Sequence, residues 1–283
     1  MSILDDIVEY KRRYLAERKA RIPQQHWERE AQSAAHRRVP LDFASALRRP
    51  GPAAGIRIIA EVKRASPSAG DIAPAADPSV QARRYTAAGA HAVSVLTDRK
   101  YFRGSEDDLA SVREAVGSTP VLRKEFIIDA YQIYEARALG ADAVLLIAAI
   151  LKREELAGLL ELTHELGMEA LVEIYDEQEL ERIEGLSVRI LGVNNRDLRT
   201  FQVALEHTGR VLSLIPPMRR EEMVLVSESG VRSAADARFL RRQGADAILV
   251  GEALMRAADP AALIREFTAP DSAYPPAGAA GPV

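Results

Sequence analysis

The chain has 283 residues, of which 47% are hydrophobic, and its formal net charge is −3 at pH 7. This balance suits one large buried core and gives no sign of a surface for nucleic acid or membrane, so we expect neither as a partner. The absence of cysteine excludes disulfides, thiol catalysis and cysteine-bound zinc. No run of about 18 apolar residues is present and the first residues are acidic, unlike a signal peptide, so we expect a cytoplasmic protein.

Residues 1–55 are predicted to form a helical extension. Residues 3–20 place apolar side chains at helical spacing among charged ones, and a second helix is predicted from about Pro40 to Arg49 with Asp42 as its N-cap. Glycine and proline interrupt the chain at residues 51–55. We expect this extension to pack on the main fold, either over one of its ends or at an interface.

Residues 56–268 repeat a strand followed by a helix. Apolar runs rich in Val, Ile, Leu and Ala predict eight strands that are buried on both faces. They are 56–62, 92–96, 120–122, 143–147, 170–174, 189–193, 224–227 and 247–250. Amphipathic segments predict the helices 77–88, 130–139, 153–166, 177–183 and 234–243. The turns at Gly89, Gly140 and Gly244 share one form, a glycine that ends a helix just before a strand, which supports the repeat.

Eight strand–helix units of this size predict a single closed parallel barrel, the (β/α)8 or TIM barrel of the α/β class. The open, doubly wound sheet is the alternative, and it would carry a glycine-rich dinucleotide-binding turn after the first strand. Residues 63–67 contain no glycine, which favours the barrel. Residues 269–283 are rich in proline and small residues and predict a disordered tail.

Polar side chains stand at the carboxyl ends of most of the predicted strands, where a parallel barrel forms its active-site mouth. Strand alternation indicates that Glu61, Lys63, Lys124 and Glu173 face inward. Carboxylates keep neighbouring lysines cationic, so a lysine there can act as a general acid and a desolvated carboxylate as a base. Each residue taken singly also fits an ion pair at the barrel rim. Their convergence favours an enzyme.

Two short turns predict a phosphate site. Ser229-Gly230 follows the seventh predicted strand and Gly251-Glu252 follows the eighth, the positions at which barrels commonly bind phosphate. Glycines let backbone N–H groups approach an anion, although ordinary tight turns have the same composition.

Four apolar residues are predicted in or beside the same mouth. They are Phe102, Phe126, Leu145 and Leu198. They fit either a slot for an aromatic ring or plain loop packing. No histidine stands at the carboxyl end of a predicted strand, so the sequence predicts neither a metal site nor a Ser-His-Asp triad.

Seven stretches of the sequence, taken together and in order, resemble the indole-3-glycerol-phosphate synthase family over about residues 3–267. The stretches are 59–68, 96–105, 122–126, 171–174, 192–198, 227–230 and 250–255. The resemblance implies a (β/α)8 barrel with an N-terminal extension and a cofactor-free reaction of tryptophan biosynthesis. In that reaction 1-(2-carboxyphenylamino)-1-deoxyribulose 5-phosphate closes to indole-3-glycerol phosphate with loss of carbon dioxide and water.

The resemblance also assigns catalytic roles. Lys124 would be the general acid at ring closure, and Glu173 the base in later proton transfers. Lys63 would hold substrate charge and share the acid role in the dehydration. Glu61 would position both lysines and take part in proton transfer. The implied partners are the phosphorylated substrate and other tryptophan-pathway enzymes, and we expect a monomer.

Three groups of substrate contacts follow from the resemblance, to the hydroxyl groups, to the anthranilate end and to the phosphate. Asn194, Glu228 and Ser229 would contact the hydroxyl groups, and Ser66 and Arg196 would contact the anthranilate end. The phosphate would be held by Lys63, Gly230, Gly251 and Glu252, the last two through backbone N–H groups.

Two other functions fit parts of the pattern. An isomerase of the phosphoribosylanthranilate type is another phosphosugar barrel, but it typically pairs a cysteine with an aspartate, and this chain has no cysteine. A non-catalytic phosphate-binding barrel would keep Gly230 and Gly251 without a reason for Lys124 and Glu173.

Overall fold

Eight parallel strands form a closed barrel in the computed structural model of the chain, which describes residues 3–51, 53–197 and 200–270. Each strand pairs with its neighbours in sequence, and the first pairs with the last through the register Ile59 to Leu249. The predicted (β/α)8 barrel is therefore confirmed. The strands are β1 (Arg57–Val62), β2 (Ala92–Leu96), β3 (Val121–Lys124), β4 (Ala143–Ile147), β5 (Glu169–Ile174), β6 (Ile190–Asn194), β7 (Val224–Glu228) and β8 (Ala247–Val250).

Helices precede the barrel, connect its strands and follow the last strand. They are α1 (Ile3–Arg21), α2 (Gln24–Arg37), α3 (Phe43–Leu47), α4 (Pro78–Ala87), α5 (Arg99–Phe102), α6 (Glu106–Ala115), α7 (Ala130–Ala138), α8 (Arg153–Glu165), α9 (Glu177–Arg182), α10 (Glu206–Ser213), α11 (Pro217–Glu222), α12 (Ala234–Arg242), α13 (Glu252–Arg256) and α14 (Pro260–Thr268). Several begin at the cap that their sequence specifies. Asp77, for example, accepts a hydrogen bond from the Val80 N–H, with Pro78 in the first turn of α4.

Three strands, β3, β6 and β7, extend further toward their carboxyl ends than the apolar runs indicate. The predicted third strand stops at residue 122, whereas β3 continues through Arg123 and Lys124. Arg123 is buried because its guanidinium pairs with Glu135 at 2.6 Å, so a charged residue stays inside the fold. Polar groups at the barrel mouth, Asn194 and Glu228 included, therefore lie on rigid strands rather than on loops.

The core has two layers, one between the strands and the surrounding helices and one inside the barrel. Alternate residues along each strand belong to alternate layers, so Ile59, Leu122 and Leu171 fill the interior. Phe43 and Leu47 of α3 join that interior cluster and are fully buried. Helix α3 thus closes the amino-terminal end of the barrel.

The remaining N-terminal helices pack on the side and at the mouth of the barrel. Lys11 of α1 lies 2.9 Å from both Asp98 and Glu125, which follow β2 and β3. Helix α2, which the sequence did not predict, packs against α7. It buries only Ala31 and Ala34, so it lacks the apolar stripe that identifies a helix in sequence.

Among the described residues, no helix has the length and apolarity that a membrane span requires. Residues 271–283, most of the predicted tail, lie outside the described residues.

Candidate active site

A cavity of about 560 Å³ opens at the carboxyl ends of the barrel strands. Every predicted site residue that the structure describes lines this cavity, and Leu198 lies outside the described residues. The lining set comprises Glu61, Lys63, Ser66, Phe102, Lys124, Phe126, Leu145, Glu173, Asn194, Arg196, Glu228, Ser229, Gly230, Gly251 and Glu252. They converge because all eight strands end at one mouth of the barrel, where inward-facing side chains and the loops that follow the strands surround one space.

The floor of the cavity is a cluster of lysines and carboxylates. The Lys63 ammonium lies 2.9 Å from a carboxylate oxygen of Glu61. Lys124 Nζ lies 3.6 Å from Glu173 Oε2 and also forms an ion pair with Glu228 Oε2. Glu61, Glu173 and Glu228 are almost completely buried, so these charges interact across little water.

Neutral side chains orient two of the carboxylates. Asn194 Nδ2 donates to Glu173 Oε1 at 3.0 Å. The Ser94 hydroxyl lies 3.4 Å from Glu61 Oε2 and can donate to it. Each contact holds one carboxylate oxygen in place and leaves the other directed at a lysine, as in designed sites where supporting hydrogen bonds fix the reacting group.

Two glycines make room for the carboxylates. A Cβ atom on Gly192 would lie 2.2 Å from Glu228 Oε1, and one on Gly251 would lie 2.4 Å from Glu61 Oε1. Real side chains do not approach that closely, so a Cβ at either position would force the carboxylate to shift. The glycine in the middle of β6 thus admits the Glu228 carboxylate to the barrel interior.

Charged neighbours shift the pKa values of Lys124 and Glu61. Burial alone would lower the pKa of Lys124, but the carboxylates of Glu228, Glu173 and Glu61 outweigh it and raise that pKa. Burial alone would raise the pKa of Glu61, but the ammonium groups of Lys63 and Lys124 lower it instead. At neutral pH, Lys124 is therefore a charged proton donor and Glu61 a charged carboxylate.

Glu228 behaves differently from Glu61. Burial raises its pKa to about 8 against the opposing effect of Lys124, and repulsion from Glu173 and Glu61 adds to the rise. Its Oε1 is buried without a hydrogen-bond partner. The cluster has three carboxyl groups but only two ammonium groups, so the carboxylates repel one another and one of them binds a proton more readily than usual. Glu228 is that residue, because its carboxyl group is buried and one of its oxygens has no hydrogen-bond partner.

The turn after β7 has an unusual backbone. Ser229 and Gly230 both have positive φ, at 67° and 92°. Asn195 Nδ2 donates to the Ser229 carbonyl at 3.1 Å, which holds the turn in place. Consecutive residues in unusual conformations of this kind can direct backbone N–H groups into one concavity, an arrangement that suits an anion.

The opposite wall of the cavity is apolar. Phe102 and Phe126 lie 5.9 Å apart between ring centroids, and Leu145 lines the same cavity. Helix α1 adds Ile3 and Ile7 to the lining. The cavity thus combines an apolar wall, a charged floor and the turn at Ser229 and Gly230. This suits a ligand with an aromatic ring and an anionic group.

Comparison with known proteins identifies the family. A sequence model described as indole-3-glycerol phosphate synthase matches residues 4–267. The indole-3-glycerol phosphate synthase of Acetivibrio thermocellus is 45% identical over 267 residues, which cover 94% of this chain and 99% of the relative. That of Roseiflexus sp. is 47% identical over 271 residues, covering 94% of this chain and 98% of the relative.

The chain belongs to the indole-3-glycerol phosphate synthase family.

Membership in the indole-3-glycerol phosphate synthase family confirms the predicted resemblance and the predicted class of enzyme, a carboxy-lyase of tryptophan biosynthesis. Solved structures of lower identity support the fold alone. A thiamine phosphate pyrophosphorylase from Pyrococcus furiosus aligns with a TM-score of 0.56 and 16% identity, covering 75% of this chain and 93% of that one. A 3-hexulose-6-phosphate synthase from Salmonella typhimurium aligns with a TM-score of 0.56 and 14% identity, covering 75% and 97%.

Several residues of this indole-3-glycerol phosphate synthase site were missed in the sequence. The glycine at position 192 interrupts a run of larger apolar residues, a pattern that marks close approach of another group and could have identified it. Ile3 and Ile7 carry no comparable pattern, because their place in the lining depends on how α1 docks. Among the described residues, no group of three or more His, Cys, Asp or Glu side chains is arranged to hold a metal ion.

Proposed function

We propose that this chain converts 1-(2-carboxyphenylamino)-1-deoxyribulose 5-phosphate to indole-3-glycerol phosphate in the cavity at the barrel mouth. The observation that carries the proposal is the position of Lys124. Its ammonium lies 3.6 Å from the Glu173 carboxylate and in contact with the Glu228 carboxyl group, on the floor of a cavity that also has an apolar wall. Family membership supports the reaction, and this geometry supports the choice of the groups that would perform it.

Ring closure needs an electrophilic carbon. The aryl carbon that bears the carboxylate attacks the ribulose carbonyl carbon and forms the new carbon–carbon bond, while Lys124 donates a proton to the carbonyl oxygen. Carbon dioxide then leaves, and the electron pair of the broken bond restores the aromatic ring. Lys124 suits this step because its neighbouring carboxylates keep it protonated at neutral pH.

Dehydration completes the indole. The hydroxyl group formed at ring closure leaves as water after it accepts a proton, and a base removes a proton from the adjacent carbon to form the double bond. We assign the base role to Glu173, which Asn194 orients at 3.0 Å, and a share of the acid role to Lys63. Glu61 pairs with Lys63 at 2.9 Å and keeps that ammonium at the cavity floor.

The two ends of the substrate fit the two sides of the cavity. The anthranilate ring would occupy the apolar wall, with Ser66 and Arg196 near its carboxylate. The phosphate would bind at Gly230 and Gly251, with the Lys63 ammonium close by. Contacts at both ends would restrain a flexible substrate near its reactive geometry, since remote binding energy offsets the loss of freedom. Asn194, Glu228 and Ser229 would orient the hydroxyl groups.

The decisive experiment measures indole fluorescence after the purified protein is mixed with the carboxyphenylamino-deoxyribulose phosphate, without added metal or nucleotide. We expect turnover by the wild type and a loss of about 10²-fold or more in Lys124→Met. Lys152→Met, at an exposed position, is the matched control and should retain full activity. Affinity for indole-3-glycerol phosphate should persist in Lys124→Met. An equal loss of affinity and turnover would contradict the acid role, and an inactive wild type would refute the proposed function.

A further inference from the structure

The first turn of α10 contacts the ends of three neighbouring strands from behind the cavity. His207 and Thr208 are both buried, with 5% and 1% of their surface exposed, and neither lines the cavity. Their contacts go to residues that follow or end β5, β6 and β7, the strands that carry Glu173, Asn194 and Glu228.

His207 holds the chain that leaves β5. Its Nε2 lies within hydrogen-bond distance of the Tyr175 carbonyl, and its ring stacks on the Tyr175 ring at 4.3 Å. The Tyr175 N–H donates to the Glu179 carboxylate at 2.7 Å. Both sides of the Tyr175 backbone are therefore fixed, two residues after Glu173.

The partners of His207 determine its tautomer. Arg210 lies 2.6 Å from Nδ1, and a guanidinium can only donate, so Nδ1 must accept. The Tyr175 carbonyl can only accept, so the proton is on Nε2. A neutral imidazole satisfies both partners and a protonated one cannot. Burial also lowers the pKa of His207, and Arg210 adds to that effect.

Thr208 closes a ring of hydrogen bonds between β6 and β7. Its N–H and hydroxyl donate to Asn195 Oδ1 at 3.1 Å and 2.8 Å. The Ser227 hydroxyl then donates to Thr208 Oγ1 at 2.7 Å, and Asn195 Nδ2 donates to Ser227 Oγ at 2.9 Å. Each hydroxyl donates once and accepts once, so the ring has a single consistent proton arrangement.

We propose that His207 and Thr208 are positioning residues that set the placement of Glu173, Asn194 and Glu228 relative to one another. The inference rests on the proposed function, since it concerns the geometry of those catalytic groups. His207 acts on Glu173 through Tyr175. Thr208 acts through Asn195 on the adjacent Asn194 and through Ser227 on the adjacent Glu228. A displacement of about 1 Å in such a site can cost about 10²-fold in rate.

The test compares two substitutions of His207 with one substitution of His164, a histidine of α8 that lies near the start of β5. His207→Phe keeps a ring against Tyr175 but removes both hydrogen bonds, and we expect kcat to fall at least about tenfold with KM changed less than about threefold. His207→Gln can still donate to the Tyr175 carbonyl and should recover a large part of that loss. His164, whose Nε2 lies 3.8 Å from Glu169 at the start of β5, gives the control His164→Phe, which should keep wild-type kcat.

A second pair of substitutions, at Thr208, tests the inference independently in case the His207 variants do not fold. Thr208→Val removes the buried hydroxyl and should lower kcat, whereas Thr208→Ser should restore it. Thr163→Val removes a buried hydroxyl that donates to Leu159 within α8 and should change only the thermal midpoint. If both His207→Phe and Thr208→Val retain kcat within twofold, the two residues are structural only and the inference is wrong.

The proposed function and this inference fail differently. No turnover by the wild type would refute the proposed function. The positioning claim is then decided by crystal structures of the wild type and His207→Phe. Glu173 displaced from its contact with Asn194 in the variant would support the claim, and an unchanged contact would overturn it.

Discussion

Lys124 and Glu173 meet across the barrel mouth, with Nζ of one 3.6 Å from Oε2 of the other, although they lie on β3 and β5 with β4 between them. Both side chains point inward at the carboxyl ends of their strands, and the curvature of the closed sheet brings them together. The fold thereby holds an ammonium and a carboxylate in contact with each other at the carboxyl ends of two rigid strands, on the floor of the cavity.

Glu173→Gln should lower kcat by about 10²- to 10⁴-fold, because the amide keeps the contact with Asn194 but cannot take up a proton. Affinity for indole-3-glycerol phosphate should change little, since neither the apolar wall nor the phosphate turn includes this residue. Steady-state kinetics and calorimetric binding measure the two effects separately. The control is Glu177→Gln, an exposed position in the first turn of α9, which should behave as the wild type. Retention of more than a tenth of kcat in Glu173→Gln would contradict the base role.

The sequence was sufficient to predict the inward-facing charges because two local rules determine them. Strand alternation puts Glu61 and Lys63 on one face, and the parallel barrel puts all strand carboxyl ends on one side. The partner of each charge depends on strand register and barrel closure, which no local rule supplies. The pairing of Lys124 with Glu228, four strands away along the chain, is therefore a finding of the structure.

The docking of the N-terminal helices was predicted only in outline. Asp42 was recognised as a cap because Asx residues before an apolar run are typical of helix starts, and its side chain accepts from the Ser45 N–H as expected. Helix α2 was missed because alanines make up its buried face. The role of His207 was likewise not predicted. A histidine that follows a loop gives no indication in sequence that it contacts Tyr175, the residue after the carboxyl end of β5.

Gly192→Ala should impair catalysis while the fold persists. The added Cβ would lie 2.2 Å from Glu228 Oε1 and 3.2 Å from Leu171 Cδ1, so the Glu228 carboxyl group, which also contacts Lys124, must shift. We expect kcat to fall at least about tenfold in steady-state assays. Gly158→Ala is the control. Its Cβ would meet nothing within 4 Å, and it replaces a helical glycine, so it should add about 0.5–1 kcal/mol to the free energy of unfolding without affecting kcat. Unchanged kcat in Gly192→Ala would contradict the prediction, because it would show that catalysis does not depend on the exact position of the Glu228 carboxyl group.

Glu228→Gln should stabilise the protein at alkaline pH. The pKa of Glu228 rises from 4.5 to about 8 on folding, so between those values the folded state holds a proton that the unfolded chain releases. Its contribution to the free energy of unfolding therefore falls as pH rises through that interval and levels off above about 8.

Glutamine carries no such penalty, so the free energy of unfolding of the variant should exceed that of the wild type at pH 8.5. The difference should shrink toward pH 5. Urea unfolding across this range measures it, with Glu177→Gln as the exposed control. A constant difference at all pH values would indicate that Glu228 is ionised throughout.

Lys11→Met tests how α1 is fixed at the barrel mouth. Lys11 is 2% exposed and lies 2.9 Å from each of two buried carboxylates, Asp98 and Glu125. Burial alone would lower its pKa, but Glu125 and Asp98 outweigh it and raise the pKa, so the ammonium persists at neutral pH. The substitution would leave both carboxylates without their cation. We expect the free energy of unfolding to fall by about 3–5 kcal/mol in urea titrations.

Two further variants separate charge from packing. In Lys11→Met combined with Glu125→Gln, one of the unpaired charges is removed, so part of the loss should be recovered if unpaired charge is its cause. Arg13→Met removes an exposed partner of Glu9 on the same helix, at 3.7 Å, and should cost less than about 1 kcal/mol. Equal losses in the single and double variants would instead assign the effect to packing of the lysine stem. Because α1 also contributes Ile7 to the cavity, we expect KM for the substrate to rise in Lys11→Met and to recover in the double variant.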